Sequence, residues 1–200
     1  MRVGILALQG AFAEHEAACR ALGATPVLIR QLGALEPSKN AASVAIGQTV
    51  PFDALILPGG ESTTQGLLLR QLGLFEPLRQ LISNGLPTFA TCAGLILLTS
   101  EEHFGTLPAQ VVRNGYGRQL GSFSATLKVG AHENFSARFI RAPYIASVAE
   151  GVEILARADE RIVGVRYRNQ TGYAFHPELG GDLRLHEEFL KSVMDAHNRR

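Results

Sequence analysis

The stretch Leu86–Thr99, LPTFATCAGLILLT, decides the fold. Its first half is short and apolar and reads as a strand buried on both faces. Its second half, from Ala93 to Thr99, reads as the start of a helix. Between them stands Cys92, followed by Ala93 and Gly94, two small residues that suit a tight turn. A strand that turns directly into a helix belongs to an α/β sheet, where sites form beyond the carboxyl ends of the strands. A helix start beside the sulfur favours thiolate through its free N–H groups and dipole. Taken alone, the same pattern also describes an inert cysteine packed in a core.

The chain on either side repeats the alternation. Arg2–Leu8 reads as a strand, Ala11–Leu22 as a helix stopped by Gly23, and Thr25–Arg30 as a second strand. Phe52–Leu57 is a third, ending in Pro58-Gly59-Gly60. Thr63–Asn84 has helical spacing in two pieces around Gly73. Strand and helix in turn predict a parallel sheet with helices on both faces. The second half changes character: Gln110–Arg113, Ser122–Val129, Arg138–Arg141, Glu153–Arg157 and Arg161–Tyr167 are strand-like runs, and Asp182–His197 closes as an amphipathic helix. The expected architecture is α/β: a single-domain three-layer sandwich, flavodoxin-like, with a mostly parallel central sheet and a mixed or antiparallel extension. One domain covers 1–200, with a polar surface insertion at 31–51 that shows no clear period.

Composition excludes several functions. Charged residues make up 18% and the formal net charge is +1, with no long basic run, which argues against nucleic acid as a partner. No stretch approaches the roughly 20 apolar residues that cross a bilayer. The start, MRVGILALQG, reads as a strand and not as a signal peptide. Cys19 and Cys92 are the only cysteines, and neither sits in a metal-ligand spacing. Free thiols suit a reducing cytoplasm. No metal and no cofactor are expected.

Two further stretches carry chemistry. In FHPE, Phe175–Glu178, Pro177 favours extended geometry at His176, so that His176 and Glu178 project to one side. A carboxylate there holds the imidazole while the other ring nitrogen takes a proton from a thiol. A solvated surface pair fits the same letters. His15 and Glu16 read as a helix surface. In LPGGEST, Leu57–Thr63, paired glycines let backbone N–H groups approach a ligand, although a plain βα turn is equally consistent. The Lys-Ser/Thr ending of a phosphate loop is missing.

Together with GILALQGAFAEH (Gly4–His15), RNGYGRQLGSF (Arg113–Phe123) and FIRAP (Phe139–Pro143), these stretches resemble one family over nearly the whole chain. It is the glutaminase subunits of pyridoxal 5′-phosphate synthase, class I (triad-type) glutamine amidotransferases. The resemblance implies hydrolysis of L-glutamine to glutamate and ammonia, with Cys92 as nucleophile, His176 as base and then acid, and Glu178 as orienting carboxylate. It implies glutamine binding by Gly60, Glu61, Ser62, Arg113, Ile140 and Arg141. The oxyanion hole falls to Gly59, Gly60 and Ala93. The implied partner is a separate synthase subunit in a hetero-oligomer that receives the ammonia for vitamin B6 synthesis. RNGYGRQ and FIRAP favour this family over the glutaminase of imidazole glycerol phosphate synthesis. Ala90 stands where the family commonly has Gly, which invites crowding of the turn. Gly115 in NGY departs from the usual Ala or Ser and is expected to loosen its loop.

Overall fold

The computed structural model describes residues 1–36, 50–116 and 121–198. In chain order these form β1 (Arg2–Leu6), α1 (Phe12–Ala21), β2 (Thr25–Ile29), β3 (Ala54–Leu57), α2 (Ser62–Gln71), α3 (Phe75–Ser83), β4 (Thr88–Thr91) and α4 (Ala93–Thr99). Then come β5 (Ala109–Val112), β6 (Ser122–Val129), β7 (His132–Ile140), β8 (Tyr144–Val148), β9 (Glu153–Ala158), β10 (Arg161–Tyr167), β11 (Gln170–Tyr173) and α5 (Arg184–Asn198). Most of the expected 31–51 insertion, and part of the RNGYGRQ stretch, lie outside the described residues. Among the described residues no helix is long and apolar enough to cross a membrane.

The strands make one eleven-stranded sheet, ordered β2-β1-β3-β4-β11-β10-β9-β6-β7, with β8 joining β10 and β5 joining β8. β2, β1, β3, β4 and β11 run parallel. From β10 onward the pairings are antiparallel, which is the expected mixed extension. Parallel neighbours need crossover connections, and α1, α2 and α3 supply them. The burial of β3 and β4 on both faces follows: every residue of ALIL and TFAT is buried.

Two helical layers cover the parallel half. On one face, Phe89 and Thr91 of β4 meet α1 and α5, through His15, His186 and Phe189. On the other, α4 packs over β4 and β11, with α2 beside it. The chain winds outward in both directions from the β1/β3 pair, the switch point beside which such sheets bind ligands.

Two strands carry little apolar signal. β11 is Gln170-Thr171-Gly172-Tyr173, yet it lies between β4 and β10. Gln170 is buried because its amide bonds to Thr106 at both ends, at 2.8 and 3.1 Å. Gly172 leaves room for Leu95 of α4: a Cβ there would sit 2.7 Å from its side chain. β8 lies in the segment after FIRAP. β7 is longer than the run expected at Arg138–Arg141, because it alternates inward Phe135, Ala137 and Phe139 with polar outward residues.

Gly94 fixes how closely α4 approaches the sheet. A Cβ on it would lie 2.1 Å from the carbonyl oxygen of Leu57, which is backbone and has nowhere to move. Gly94→Ala is therefore expected to lower unfolding stability by about 1–3 kcal/mol, read as a lower midpoint in urea denaturation; an unchanged midpoint contradicts this packing.

Candidate active site

Cys92 links β4 to α4 with φ 46° and ψ −102°, a left-handed conformation rare for a residue with a Cβ. Such backbone costs about 1–3 kcal/mol and persists only where its surroundings hold it. Its N–H donates to the carbonyl of Tyr173 at 2.8 Å, and Gly94 locks the next turn onto Leu57. The strand, sharp turn and helix expected at TCAG are all present. Ala90 is fully buried within β4 and is accommodated there.

His176 follows β11. Its N–H donates to the carbonyl of Arg138, and Pro177 then opens a single 3₁₀ turn over Pro177–Leu179. The backbone is thus not extended through Glu178 as expected. The 3₁₀ turn still brings the two side chains together, with His176 Nδ1 at 2.6 Å from Glu178 Oε1. Cys92 lines the same cleft as His176, and its thiol donates to the carbonyl oxygen of Ile140 at 4.0 Å. Burial, the largest influence, disfavours charge on His176. The hydrogen bonds and charges of Cys92 and Glu178 override it and push the imidazole up to about 10. Cys19 differs: buried in α1, its thiol is pushed up to about 11 by burial, with Glu16 adding to the effect.

The residues expected to bind glutamine gather in one cleft of about 250 Å³. Gly60, Glu61, Ser62, Arg113, Ile140 and Arg141 line it with Cys92 and His176. Glu61 caps α2. Partial burial disfavours its charge, but the hydrogen bonds from Thr64 and Thr63 hold its carboxyl down at about 2. Arg113 reaches the same carboxylate at 3.3 Å and Thr63 Oγ1 at 3.1 Å. Arg141 has φ 42°, directing the chain after β7 over the cleft.

Of the three residues expected at the oxyanion hole, only Gly60 lines the cleft. Gly59 lies against the Cys–His pair: a Cβ there would be 2.3 Å from His176 Cε1 and 3.3 Å from Cys92 Cβ. Its N–H is engaged, donating to Thr91 Oγ1 at 2.9 Å. Ala93 is buried behind Cys92. The turn Gln9-Gly10-Ala11 touches this loop directly. Ala11 N–H donates to Gly59 O at 3.0 Å, and Glu61 N–H donates to Gln9 Oε1 at 2.7 Å.

Three features escaped sequence reasoning. Asn114 also lines the cleft. Gly115 is not a loosening: a Cβ there would strike the Tyr144 ring at 2.1 Å, so the glycine permits close packing. His15 is not on a helix surface but fully buried, behind the triad candidates. It lies three residues after Phe12 and three before Ala18, on the inward stripe of α1, and that spacing was the available signal.

The fold is that of the glutamine amidotransferases. A solved structure titled "Crystal structure of glutamine amidotransferase" matches with TM-score 0.83 and 40% identity, over 96% of this chain and 98% of that one. Residues 5–195 match the SNO glutamine amidotransferase family, and the chain belongs to it. It is 54% identical over 202 residues to the "Pyridoxal 5'-phosphate synthase subunit PdxT" of Desulfitobacterium hafniense strain Y51, covering 98% of this chain and 95% of the relative. A protein of the same name from Streptococcus pneumoniae is 46% identical, covering 95% and 96%. A solved structure titled "Structure of PurLQS from Thermotoga maritima" shares the fold over 98% of each chain, with TM-score 0.65 at 17% identity.

The raised His176 value sets a pH dependence. A folded value above the ordinary 6.5 means that the stability from its partners is complete below about pH 6.5 and is lost as pH rises through about 10. Glu178→Gln removes one of the groups that raise it. The variant's His176 is expected to titrate at lower pH in an NMR titration of the ring protons, and the alkaline loss of stability is expected to move down with it. An unmoved titration contradicts the Glu178 contact.

Proposed function

We propose that Cys92, His176 and Glu178 form the triad through which this glutamine amidotransferase hydrolyses L-glutamine to L-glutamate and ammonia. The ammonia passes to a synthase subunit for pyridoxal 5′-phosphate synthesis. The observation that carries the triad is the left-handed turn at Cys92, beside an imidazole tied at 2.6 Å to a buried carboxylate.

The chemistry follows from those positions. His176 takes the thiol proton as the sulfur attacks, and an imidazole raised to about 10 holds that proton until the leaving nitrogen takes it. The sulfur attacks the side-chain amide carbon of glutamine. His176 gives its proton to the leaving nitrogen, and ammonia departs from a glutamyl thioester. His176 then takes a proton from water, whose oxygen attacks the thioester and releases glutamate. Glu178 keeps the imidazole oriented and offsets its charge throughout.

The cleft residues suit an amino acid substrate. Arg113 offers a guanidinium to the α-carboxylate, and Glu61, ionised far below neutral pH, offers a carboxylate to the α-ammonium. Ser62, Ile140 and Arg141 complete the pocket in this reading. Gly60 N–H serves the oxyanion together with Ala93 N–H, while Gly59 contributes once its N–H is released from Thr91. The reading takes 1–200 as one glutaminase domain with an insertion at 31–51. A cytoplasmic location accords with Cys19 and Cys92 both being free thiols.

Docking of the synthase subunit is the proposed switch. The carbonyl and N–H of a trans peptide point opposite ways. Ala11 N–H on Gly59 O therefore sets the direction of Gly60 N–H. A partner that seats on Gln9-Gly10-Ala11 gains control of the oxyanion loop, and glutamine is spared when no ammonia acceptor is docked.

The test is glutamine turnover with and without the synthase partner. Wild type is expected to be slow alone and faster in the complex. Cys92→Ala is expected to lose turnover while staying folded, and Cys19→Ala to stay near wild type. Turnover by folded Cys92→Ala contradicts the triad; full activity of the isolated wild type contradicts the switch.

A further inference from the structure

The proposed chemistry uses one oxygen of Glu178. The other, Oε2, is buried and has no hydrogen-bond partner among the described residues. It lies 3.5 Å from Nε2 of His15, and both side chains are fully buried. The same Nε2 is 3.2 Å from Thr91 Oγ1, and the opposite ring nitrogen, Nδ1, is 2.9 Å from Nε2 of His186 on α5. Phe89 stands edge-on to the ring. His15 thus touches groups from β4, α5 and the 3₁₀ turn at once.

Proton accounting fixes the arrangement. Burial first, then the neighbouring His186 and His176, push His15 well below the ordinary imidazole range. Burial pushes His186 down to about 4. Both rings are neutral at pH 7, so each carries one N–H and their 2.9 Å contact holds one proton. If that proton came from His15, its Nε2 lone pair would face the carboxylate. A buried carboxylate oxygen would then lack a donor, and the N–H on His186 Nδ1 would point at no partner. If it comes from His186, both penalties vanish. His15 Nε2–H is then shared between Thr91 Oγ1 and Glu178 Oε2, and only a bare lone pair on His186 Nδ1 is left over.

We propose that His15, as the neutral Nε2–H tautomer set by His186, is a positioning residue for the triad. It holds the second oxygen of Glu178 and, through Thr91, the oxyanion loop. A carboxylate held at both oxygens stays turned toward His176 Nδ1. Thr91 Oγ1, contacted by His15, accepts the Gly59 N–H at 2.9 Å. His15 is carried by α1, which starts just after the turn bonded to Gly59 O. The proposal rests on the triad reading above, but its test does not depend on Cys92 variants.

Two substitutions separate the ring's two nitrogens. In His15→Asn the amide reaches the Nδ1 position, so the donor to Glu178 is lost. In His15→Gln the amide reaches the Nε2 position, so a donor is kept. With the synthase partner present, His15→Asn is expected to lose about ten- to a hundred-fold in kcat, the value of a hydrogen bond to a charged group, with KM little changed. Its alkaline limb is expected at lower pH, because Glu178 then holds the imidazolium less well. His15→Gln is expected to retain about ten-fold more kcat than His15→Asn. Equal kcat and equal pH profiles in the two folded variants overturn the proposal and leave the triad standing. The wild-type protein gives a second reading without mutation. ¹⁵N NMR of its histidines at neutral pH is expected to show His15 protonated at Nε2 alone. A ring protonated at Nδ1, or at both nitrogens, overturns the proposal.

Discussion

Everything in the cleft depends on a left-handed peptide at a residue that has a side chain. Cys92 holds φ 46° because both neighbours of the turn are immobile. On one side its N–H is bound to β11; on the other, Gly94 lets α4 press onto the end of β3. The strain is thus held by the sheet, and the sheet has to be tightly packed at β3, β4 and β11 to hold it.

The second constraint is electrostatic. Behind the sulfur lie His176, Glu178, His15, Thr91 and His186, nearly all closed to solvent. A charged pair is costly there unless its remaining polar atoms are satisfied. The structure meets this with one connected set of contacts that runs from β4 through α1 to α5. The Gly59-Gly60 loop is attached to the same set through Gly59 and Thr91. Cys92, His176, Glu178 and this loop are for that reason one connected unit, and the β1–α1 turn lies against its outer edge.

Much of this was legible in the sequence. Buried strands such as ALIL and the Cys-Ala-Gly turn announce themselves by run length and small residues. His176 and Glu178 do so only through the family resemblance, because a solvated surface pair fits the letters of FHPE as well. β11 does not, because its place in the sheet is secured by an amide bonded to Thr106 and a glycine under Leu95, not by apolar side chains. His15 does not, because a histidine among charged residues reads as surface. Only the position of β4 and α5 turns that helix face inward. Gly115 reads as slack because its tight partner, Tyr144, is distant in sequence.

The central claim is that the sulfur of Cys92 becomes acylated by glutamine. The most direct measurement is rapid acid quench of the complex during turnover of isotope-labelled glutamine, followed by peptide mass spectrometry. The account predicts a glutamyl thioester on the peptide that carries Cys92, with none on the peptide that carries Cys19. Turnover with no label on Cys92, or with label elsewhere on the chain, would contradict it.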